Sequence, residues 1–474
     1  MGVCVVGGGL SGLAAAARVK IDRPDLDVLL VQKPAAAGNT LIAGQRYRTR
    51  GELPAGPGSD PHGLHAALIA RNGGEIDLNM ESFAFRSVSA LNFWLAAHEL
   101  RQLPDQPPLK YSEEVLSFGP RLGDPASAAQ RAGRYVLQWF RELAKRLRVR
   151  FFPAEVTRLV LDGDRIHELA AERRAASGER EGAFKIEADQ YVLAAGNPAG
   201  SLFDSTNVPC RGSAVELAFA AGLPISDVTT HLLHPFARVS CKGRAAAGCL
   251  STDDLDRVEV GFENGALDRR TTELLRDHRA HYHFPEIAQR FIEQHSPVVL
   301  RYADGRRMRC GVAHHCSQMG IQTADGVAIE GLTNAFAVGD ASSIGHWTAH
   351  RPRLPGTALT KCLLDAELVN ERLAGAPPGK CAAIEPSAQL HPARDLTEPE
   401  SGELRSLNTS FLLECMMDGG PEAARGAGWR RALERTGIPR DIPLMELSLA
   451  LAEAMGAPGP GGGAVVRREG GRRI

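Results

Sequence analysis

An α/β fold with a Rossmann-like parallel sheet is predicted by three stretches of this 474-residue sequence. In the first, Gly2–Ala16, an apolar run leads into glycines at positions 7, 9 and 12 and then into an Ala/Leu-rich, helix-forming segment. The second, Asp27–Val31, is an apolar run of strand length. The third, Ala335–Val338, is a late apolar run that ends at Gly339-Asp340. Apolar runs of this length, bounded by glycine or acidic residues, are typical of buried parallel strands.

The glycines of the first stretch have the spacing that binds a dinucleotide pyrophosphate. Gly7 permits a sharp turn, Gly9 lets the backbone approach the phosphates, and Gly12 lets the following helix pack closely on the strand. The free N–H groups and dipole of that helix then face the phosphate charge. The motif alone is compatible with NAD, NADP or FAD, and with a glycine-rich turn that binds no ligand.

Two further segments bear on a dinucleotide site. The residue after the second strand is Gln32, where dinucleotide folds place an acidic residue for the ribose hydroxyls. Glutamine can still bond a diol, but without the strength that a charge adds. Residues 38–44 (G-N-T-L-I-A-G) are small enough to hold a backbone close to a ligand, although a plain connecting loop would have a similar composition.

The middle of the sequence predicts a helix, a meander and an insertion. Arg131–Arg148 is predicted as an amphipathic helix whose basic residues form a solvated face. A β-meander is predicted from four short strands that lead into the apolar strand Gln190–Ala195: Val149–Phe152, Val156–Leu161, Arg165–Ala171 and Phe184–Glu187. Between about residues 239 and 310 the composition becomes more charged, which indicates an inserted second domain. We therefore expect a discontinuous first domain (1–238 and 311–375), an insertion (239–310) and a C-terminal helical region (376–474) with a frayed tail from Pro458.

Composition and charge limit the possible functions. With 55 basic and 56 acidic residues the formal net charge is −1, so no overall field attracts nucleic acid or anionic lipid. No apolar run approaches the length of about 18 residues that a membrane span needs. The nine cysteines are scattered and form no C-x-x-C pair, so no zinc or iron–sulfur ligand set is predicted. Because the first strand begins at Gly2, we expect no cleaved signal peptide and a reduced, cytoplasmic protein.

Together, the glycine turn, the meander ending in A-A-G and the late Gly-Asp outline an FAD fold of the two-dinucleotide-binding type. The chain resembles the flavoprotein subunits of the succinate dehydrogenase/fumarate reductase family, which includes L-aspartate oxidase. Four segments carry the resemblance: the flavin loop at Gly38-Asn39-Thr40, Arg211–Leu223 followed by His234-Pro235, His315–Ile321 (H-C-S-Q-M-G-I), and Arg353–Leu359 (R-L-P-G-T-A-L). The resemblance implies a Rossmann-like FAD-binding domain with a β-meander, an inserted α+β capping domain and a C-terminal helical domain.

The resemblance also implies which residues contact FAD. Membrane-complex members attach FAD through a histidine of the flavin loop, and because Asn39 occupies that position here we expect non-covalent FAD. Thr357 and Ala358 stand in place of an Asn-Ser pair beside the isoalloxazine, and Val156 is expected to offer backbone contacts to adenine. The complete expected set is Gly7, Gly9, Leu10, Ser11, Gly12, Gln32, Lys33, Gly38, Asn39, Thr40, Ala43, Gly44, Val156, Ala195, Gly196, Gly339, Asp340, Thr357, Ala358 and Leu359.

The reaction of the family moves a hydride between flavin N5 and a carbon beside a carboxylate, which requires cations or donors on the carboxylate and a proton-transfer group. Arg353 is the predicted carboxylate clamp, because a guanidinium binds a carboxylate through two parallel hydrogen bonds; Arg351 is the alternative. His315 and His234 are expected to complete the grip, with imidazoles that titrate near neutral pH, and His314 leaves the register open. Arg270 or Arg269 matches the proton-transfer arginine of the family, although both could be surface charges at a helix start.

These observations predict an FAD-dependent oxidoreductase that acts next to the carboxylate of a small amino acid or dicarboxylate, in a biosynthetic pathway. The direction of electron flow is open, and so is the acceptor, oxygen or a soluble carrier. Two alternatives remain: a flavin-containing subunit that only passes electrons within a complex, and a flavoprotein of RNA modification. The neutral charge disfavours the second alternative, because nucleic-acid binding requires a basic surface.

Overall fold

The fold is described from a computed structural model of the chain. The residues that it describes are 2–33, 38, 40, 46–48, 61–71, 78–96, 115–117, 125–175, 180–207, 213–239, 245–249, 258–276, 284–293, 298–343, 357–376, 382–387, 396–417, 422–456 and 464–468.

A five-stranded parallel sheet occupies the centre of the fold, as predicted from the three apolar runs. In spatial order its strands are β17 (Ala335–Ala337), β9 (Gln190–Leu193), β1 (Gly2–Val6), β2 (Asp27–Gln32) and β5 (Arg150–Pro153). Because the strands are parallel, their carboxyl ends meet at one edge of the sheet. We call this edge the cofactor edge and define it by Gly7, Lys33, Ala195 and Gly339, each of which lies just beyond the end of a strand.

Helices cover this sheet and pack into one apolar core with it, in which Leu13, Leu30 and Leu364 are fully buried. The helices of the first two-thirds of the described chain are α1 (Leu10–Asp22), α2 (Pro61–Arg71), α3 (Leu78–Ala96), α4 (Pro125–Arg146), α5 (Ala199–Leu202), α6 (Ser213–Ala220), α7 (Arg269–Arg276) and α8 (Phe284–Glu293). Helix α9 (Thr357–Leu373) follows the late strand and packs on α1. The two helices that begin nearest the cofactor edge are therefore neighbours.

The meander differs from the prediction in its first strand. β5 pairs in parallel with β2 and so is the edge strand of the central sheet, where Phe151 and Phe152 pack against the apolar clusters on its two faces. The antiparallel meander consists of β6 (Glu155–Asp162), β7 (Arg165–Arg174) and β8 (Arg180–Glu187). Its outer strand, β18 (Ala383–Pro386), comes from the region that the sequence assigned to the C-terminal helices. A two-stranded pair, β3 (Arg46–Arg48) and β4 (Val115–Ser117), is separate from these sheets.

A second five-stranded sheet contains the region predicted as an insertion. Its order is β12 (Ala245–Cys249), β11 (His231–Val239), β15 (Arg307–Ser317), β14 (Val298–Tyr302) and β13 (Val258–Phe262), and all pairs are antiparallel. Helices α7 and α8 pack on it around the buried Phe236 and Ile287. β11 and β15 cross the predicted boundaries at residues 238 and 311, so this sheet is continuous with the first domain.

The C-terminal region is helical, as expected, with α10 (Glu398–Met417), α11 (Glu422–Arg435) and α12 (Pro443–Gly456) packed around the fully buried Trp429. Its tail is not frayed at residues 464–468. The main chain of Val466 exchanges hydrogen bonds of 3.0 and 2.8 Å with Ile225 of the short strand β10 (Ile225–Ser226), which also pairs with β16 (Gly320–Ile321). Arg468 forms an ion pair with Glu446, so main-chain pairing and charge hold the tail on the body. Within the described ranges, no helix combines the length and apolar character that a membrane crossing requires.

Candidate active site

The glycine turn between β1 and α1 is shaped by close backbone contacts. Gly7 adopts a φ of 120°, which favours glycine, and a Cβ there would lie 2.5 Å from the carbonyl oxygen of Ala194. A Cβ on Gly12 would lie 2.0 Å from the oxygen of Gly7, so the helix can approach the strand only because residue 12 is glycine. A Cβ on Gly9 would meet only Thr40 Oγ1, at 3.5 Å. Of these three glycines, Gly9 is the one whose open side a phosphate can approach.

The start of α1 is also suited to an anion. Its N-cap, Gly9, offers no side-chain acceptor, and its first turn contains no acidic residue. The amide of Leu10 donates to Thr40 Oγ1 over 3.1 Å, so the predicted flavin loop reaches the glycine turn at the buried Thr40. Main-chain amides at the positive end of a helix form an anion site. The residues present therefore fit a dinucleotide pyrophosphate.

The late Gly-Asp turn closes the other side of this site. Gly339 has a φ of 64°, and a Cβ there would lie 2.6 Å from Ser11 Oγ. Two buried charges from α9 hold the turn: Lys361 Nζ donates to the oxygen of Gly339 over 3.1 Å, and Asp365 Oδ2 accepts the amide of Gly339 over 2.7 Å. Lys361 and Asp365 are 2.6 Å apart and at most 1% exposed. The turn is thus fixed on both its N–H and C=O by a charge pair.

At the end of β2 the side chain of Gln32 has a partner that the sequence did not reveal. Arg141 of α4 donates to Gln32 Oε1 over 3.3 Å, and a Cβ on Gly8 would lie 1.9 Å from the same oxygen. The neighbouring Lys33 pairs with Glu155 over 2.7 Å. Because Arg141 already donates to Gln32 Oε1, the polar groups that could bind a ribose here are mainly hydrogen-bond donors.

The other expected FAD residues within the described ranges surround this region. Ala195 and Gly196, whose φ is 71°, follow β9 at the cofactor edge. Val156 is buried at the start of the meander. Thr357, Ala358 and Leu359 form the first turn of α9, with Thr357 buried, and Asp340 belongs to the Gly339 turn. Gly38 has a φ of 54°. Asn39, Ala43, Gly44 and Arg353 lie outside the described residues.

Four histidines meet where β11 pairs with β15. His231 Nδ1 and His314 Nε2 are 3.3 Å apart, and the ring of His314 stacks on Phe203 at 4.4 Å. His234 and His315 form a second pair, with ring centres 5.2 Å apart. The register of β11 and β15 shifts at His315, and the ring contacts separate the two residues: His314 meets His231 and Phe203, whereas His315 meets His234. The structure therefore brings together the two predicted histidines, which we call the histidine pair, and separates them from His314.

One ring of the histidine pair has its tautomer set by the main chain. The amide of Phe236 donates to His234 Nδ1 over 3.1 Å, so Nδ1 is the acceptor and the proton of the neutral ring lies on Nε2. Burial lowers the pKa of His234 well below its usual value, and the neighbouring His315 lowers it further. Burial lowers the pKa of His315 to about 4. The expectation that these imidazoles titrate near neutral pH is wrong, because desolvation disfavours their charged form.

The histidine pair is joined to the cofactor edge through the end of β15. Asn197 Nδ2, just beyond β9, donates to the oxygen of Ser317 over 3.2 Å. A Cβ on Gly320 would lie 2.3 Å from backbone atoms of Ser342 and Ser343, which follow the Gly339 turn. His315 and the FAD-site turn are thus linked by a few residues of strand that contact both.

A family model described as an FAD binding domain matches residues 2–257, which is more than half of the chain. The chain belongs to the FAD binding domain family. This assignment confirms the predicted FAD cofactor and the predicted class, a flavin-dependent oxidoreductase. No curated protein sequence matches this family member significantly.

Solved structures confirm the fold that the resemblance implied for this family member. A variant FrdA chain of Escherichia coli quinol fumarate reductase superposes with a TM-score of 0.64 at 15% identity, over 96% of this chain and 88% of that one. The Mycobacterium smegmatis Sdh1 complex gives 0.64 at 18% identity, over 96% and 86%. The 3-ketosteroid-Δ4-(5α)-dehydrogenase of Rhodococcus jostii gives 0.52 at 16% identity, over 78% and 96%.

The predicted proton-transfer arginine of this FAD-binding protein is not close to the histidine pair in any contact that the described residues make. Arg270 and Arg269 are exposed at the start of α7. Asp268 caps that helix by accepting the amide of Thr271 over 3.0 Å, and Arg290 pairs with Asp268 over 2.7 Å. These contacts stabilise the start of α7 without Arg270. The role of Arg270 in proton transfer stays a prediction.

Sequence reasoning missed the residues that support the predicted ones. Arg141 was interpreted as part of a solvated helix face, and the loop residues around Thr206 that contact His315 went unnoticed. No sequence motif marks either contact, because each joins elements distant along the chain. The Lys361–Asp365 pair had a local signal, an i,i+4 spacing of opposite charges inside an apolar helix.

Proposed function

We propose that this FAD-dependent oxidoreductase transfers a hydride between flavin N5 and a carbon next to the carboxylate of a small amino acid or dicarboxylate, with FAD bound non-covalently. The observation that carries the proposal is the direct continuity of His315, through Ser317 and Gly320, with the turn that closes the FAD site. A substrate held at the histidine pair would lie beside the cofactor.

FAD, when bound, supplies the two-electron acceptor or donor. The glycine turn, the start of α1 and the Gly339 turn would hold its pyrophosphate and ribitol through backbone groups. Thr357 and its neighbours at the positive end of α9 would stabilise negative charge on the reduced ring.

The histidine pair supports a carboxylate substrate through neutral hydrogen bonds. His234 carries its ring proton on Nε2, and neither ring carries charge at neutral pH. Hydrogen bonds from neutral donors to a carboxylate contribute about 1.5–3 kcal/mol each. A guanidinium would provide the charge that these rings lack, which is the role proposed for Arg353 or Arg351. Polarisation of the carboxylate also acidifies the adjacent C–H bond and so assists hydride removal.

The test is anaerobic bleaching of the flavin absorbance by a panel of substrates. We expect L-aspartate or succinate to reduce the flavin, or fumarate to reoxidise a chemically reduced flavin, and a neutral ketosteroid to do neither. Turnover with and without oxygen then identifies the acceptor class. If the flavin responds to no carboxylate but accepts electrons from a carrier, the chain is an electron-passing subunit. Flavin that stays with acid-precipitated protein would refute non-covalent binding.

A further inference from the structure

A short loop after α5 contacts His315 with three consecutive side chains. Ser205 Oγ donates to the His315 carbonyl oxygen over 3.3 Å, and Asn207 Nδ2 donates to the same oxygen. Thr206 Oγ1 lies 2.6 Å from His315 Nδ1. The amide of Thr206 also donates to the oxygen of His314 over 2.9 Å, so the loop is fixed along β15. This segment thus holds both the backbone and the ring of His315.

We propose that Thr206 is a positioning residue that keeps neutral His315 in the Nε2–H tautomer. The consequence for substrate binding rests on the proposed function, whereas the tautomer itself can be measured without a substrate. No motif of the sequence marked Thr206, and it contacts neither the glycine turn nor the Gly339 turn in any contact of the described residues.

The direction of the Thr206–His315 hydrogen bond follows from burial. Thr206 is 2% exposed, and within the described ranges His315 Nδ1 is the one hydrogen-bond partner of its hydroxyl. If the ring donated instead, the hydroxyl proton would be buried without an acceptor, which costs about 1–3 kcal/mol. An oxygen lone pair without a donor costs less than a donor without an acceptor. The hydroxyl therefore donates to Nδ1, and the ring proton lies on Nε2.

With both tautomers set, the histidine pair presents two donors of the same kind. His234 is fixed by the amide of Phe236, and His315 by the hydroxyl of Thr206. Each ring then carries its proton on Nε2, and the Nε2–H of His315 can donate to a carboxylate beside the ring of His234, whose centre lies 5.2 Å away. The other tautomer of His315 would turn an Nε2 lone pair toward the substrate oxygen and repel it. The choice of tautomer thus decides whether His315 attracts or repels an anion.

The experiment is long-range ¹H–¹⁵N NMR of the FAD-loaded protein with ¹⁵N-labelled histidine at pH 7, which distinguishes the two tautomers by the ring nitrogen shifts. A His315→Asn variant assigns the His315 signals by their disappearance. We expect the Nε2–H pattern in the wild type and in Thr206→Ser, which keeps the hydroxyl. Thr206→Val, of similar shape, removes the donor to Nδ1, so the ¹⁵N signal of His315 Nδ1 should move toward the value of an imidazole nitrogen without a hydrogen bond, and the Nδ1–H form should gain population. Ser205→Ala is the matched control, since it removes a hydroxyl of the same loop that contacts the carbonyl oxygen and not the ring of His315, and it should keep the wild-type pattern.

Two NMR outcomes overturn the proposal: an Nδ1–H pattern in the wild type, or a His315 Nδ1 signal that does not move in Thr206→Val. A kinetic readout accompanies them, because without the bond to Thr206 the ring of His315 is no longer held in one orientation, so KM should rise about tenfold in Thr206→Val and recover in Thr206→Ser. If the tautomers behave as expected but no carboxylate changes the flavin spectrum, the proposed function fails while the positioning role of Thr206 stands.

Discussion

The cofactor edge and the histidine pair are joined through the end of β15 and the start of β16 but are built in opposite ways. The shape of the cofactor edge is set mainly by backbone atoms. A Cβ at Gly7, Gly12 or Gly339 would clash with neighbouring atoms. At the histidine pair, the chemistry depends on hydrogen bonds to ring nitrogens, one from the side chain of Thr206 and one from the main-chain amide of Phe236. A site made of backbone depends on which side chains are absent, whereas a site made of rings depends on what surrounds each ring.

The largest effect is expected from the buried charge pair at the cofactor edge. Lys361→Met removes the cation and leaves Asp365 buried beside the Gly339 turn, so we expect a loss of about 4 kcal/mol in the free energy of unfolding. Urea denaturation of the apoprotein measures it. Lys145→Met, which breaks an exposed pair with Glu142, is the control and should change the free energy by less than about 0.5 kcal/mol. Equal effects for both variants would contradict the support role of the pair.

Two glycine variants distinguish the contribution of the turn to folding from its contribution to phosphate binding. Gly12→Ala places a Cβ 2.0 Å from the oxygen of Gly7, so both folding and FAD affinity should fall, the affinity by about 100-fold or more. Gly9→Ala meets only Thr40 Oγ1 at 3.5 Å, so the apoprotein should keep its melting temperature while FAD binding weakens. Flavin fluorescence titration and thermal unfolding measure the two quantities. Gly375→Ala, with open space around it, should change neither.

At the histidine pair we expect the opposite result, a loss of turnover without a loss of FAD. His315→Gln should leave the bound FAD content unchanged and lower kcat/KM for the carboxylate substrate about 30-fold, because one hydrogen bond to a charged group is lost. Absorbance at the flavin maximum and steady-state kinetics test this. His167→Gln, an exposed histidine of the meander, is the control. If His315→Gln released FAD instead, the two regions would not be functionally separate.

Stability should depend on pH through the buried rings. Burial lowers the pKa of His231 to about 4, although a hydrogen bond with the backbone of Val228 opposes the shift. The unfolded ring binds a proton below about pH 6.5, so each such histidine reduces stability as the pH falls from 6.5 toward 4. Between pH 7 and pH 5 the loss is about 2 kcal/mol per ring. His231→Phe should flatten the profile measured by urea unfolding; a variant with the same slope as the wild type would contradict the assignment.

The smallest effect concerns the ribose end of the cofactor edge. Arg141→Gln removes the guanidinium from Gln32, so FAD should bind about fivefold more weakly while FMN, which lacks the adenosine, is unaffected. Fluorescence titration with both flavins measures the difference. An equal loss for FMN would indicate that Arg141 acts on the fold and not on the ribose.

The contrast between the two regions also explains what could be predicted from the sequence. The glycine turn, the parallel strands and the late Gly-Asp were predictable because local spacing alone determines them. β5 was assigned to the meander because a short apolar strand does not reveal whether its partner is β2 or β6. The pKa of His315 was wrongly expected near neutral because burial arises from distant segments. Thr206 was missed for the same reason, since it meets His315 only in the folded chain.

The position of β1 at the centre of its sheet has a consequence for biosynthesis. β1 is made before the other strands of its sheet, yet its neighbours are β2 and β9, and the glycine turn is completed only by Ala194 and by the Gly339 turn that α9 holds. A nascent chain that ends before α9 contains the phosphate-binding glycines but lacks the segments that complete their site. Contacts between residues so far apart in sequence slow folding. We therefore expect the ribosome-bound protein to acquire flavin only after α9 has emerged, although the phosphate-binding glycines are made more than 300 residues earlier.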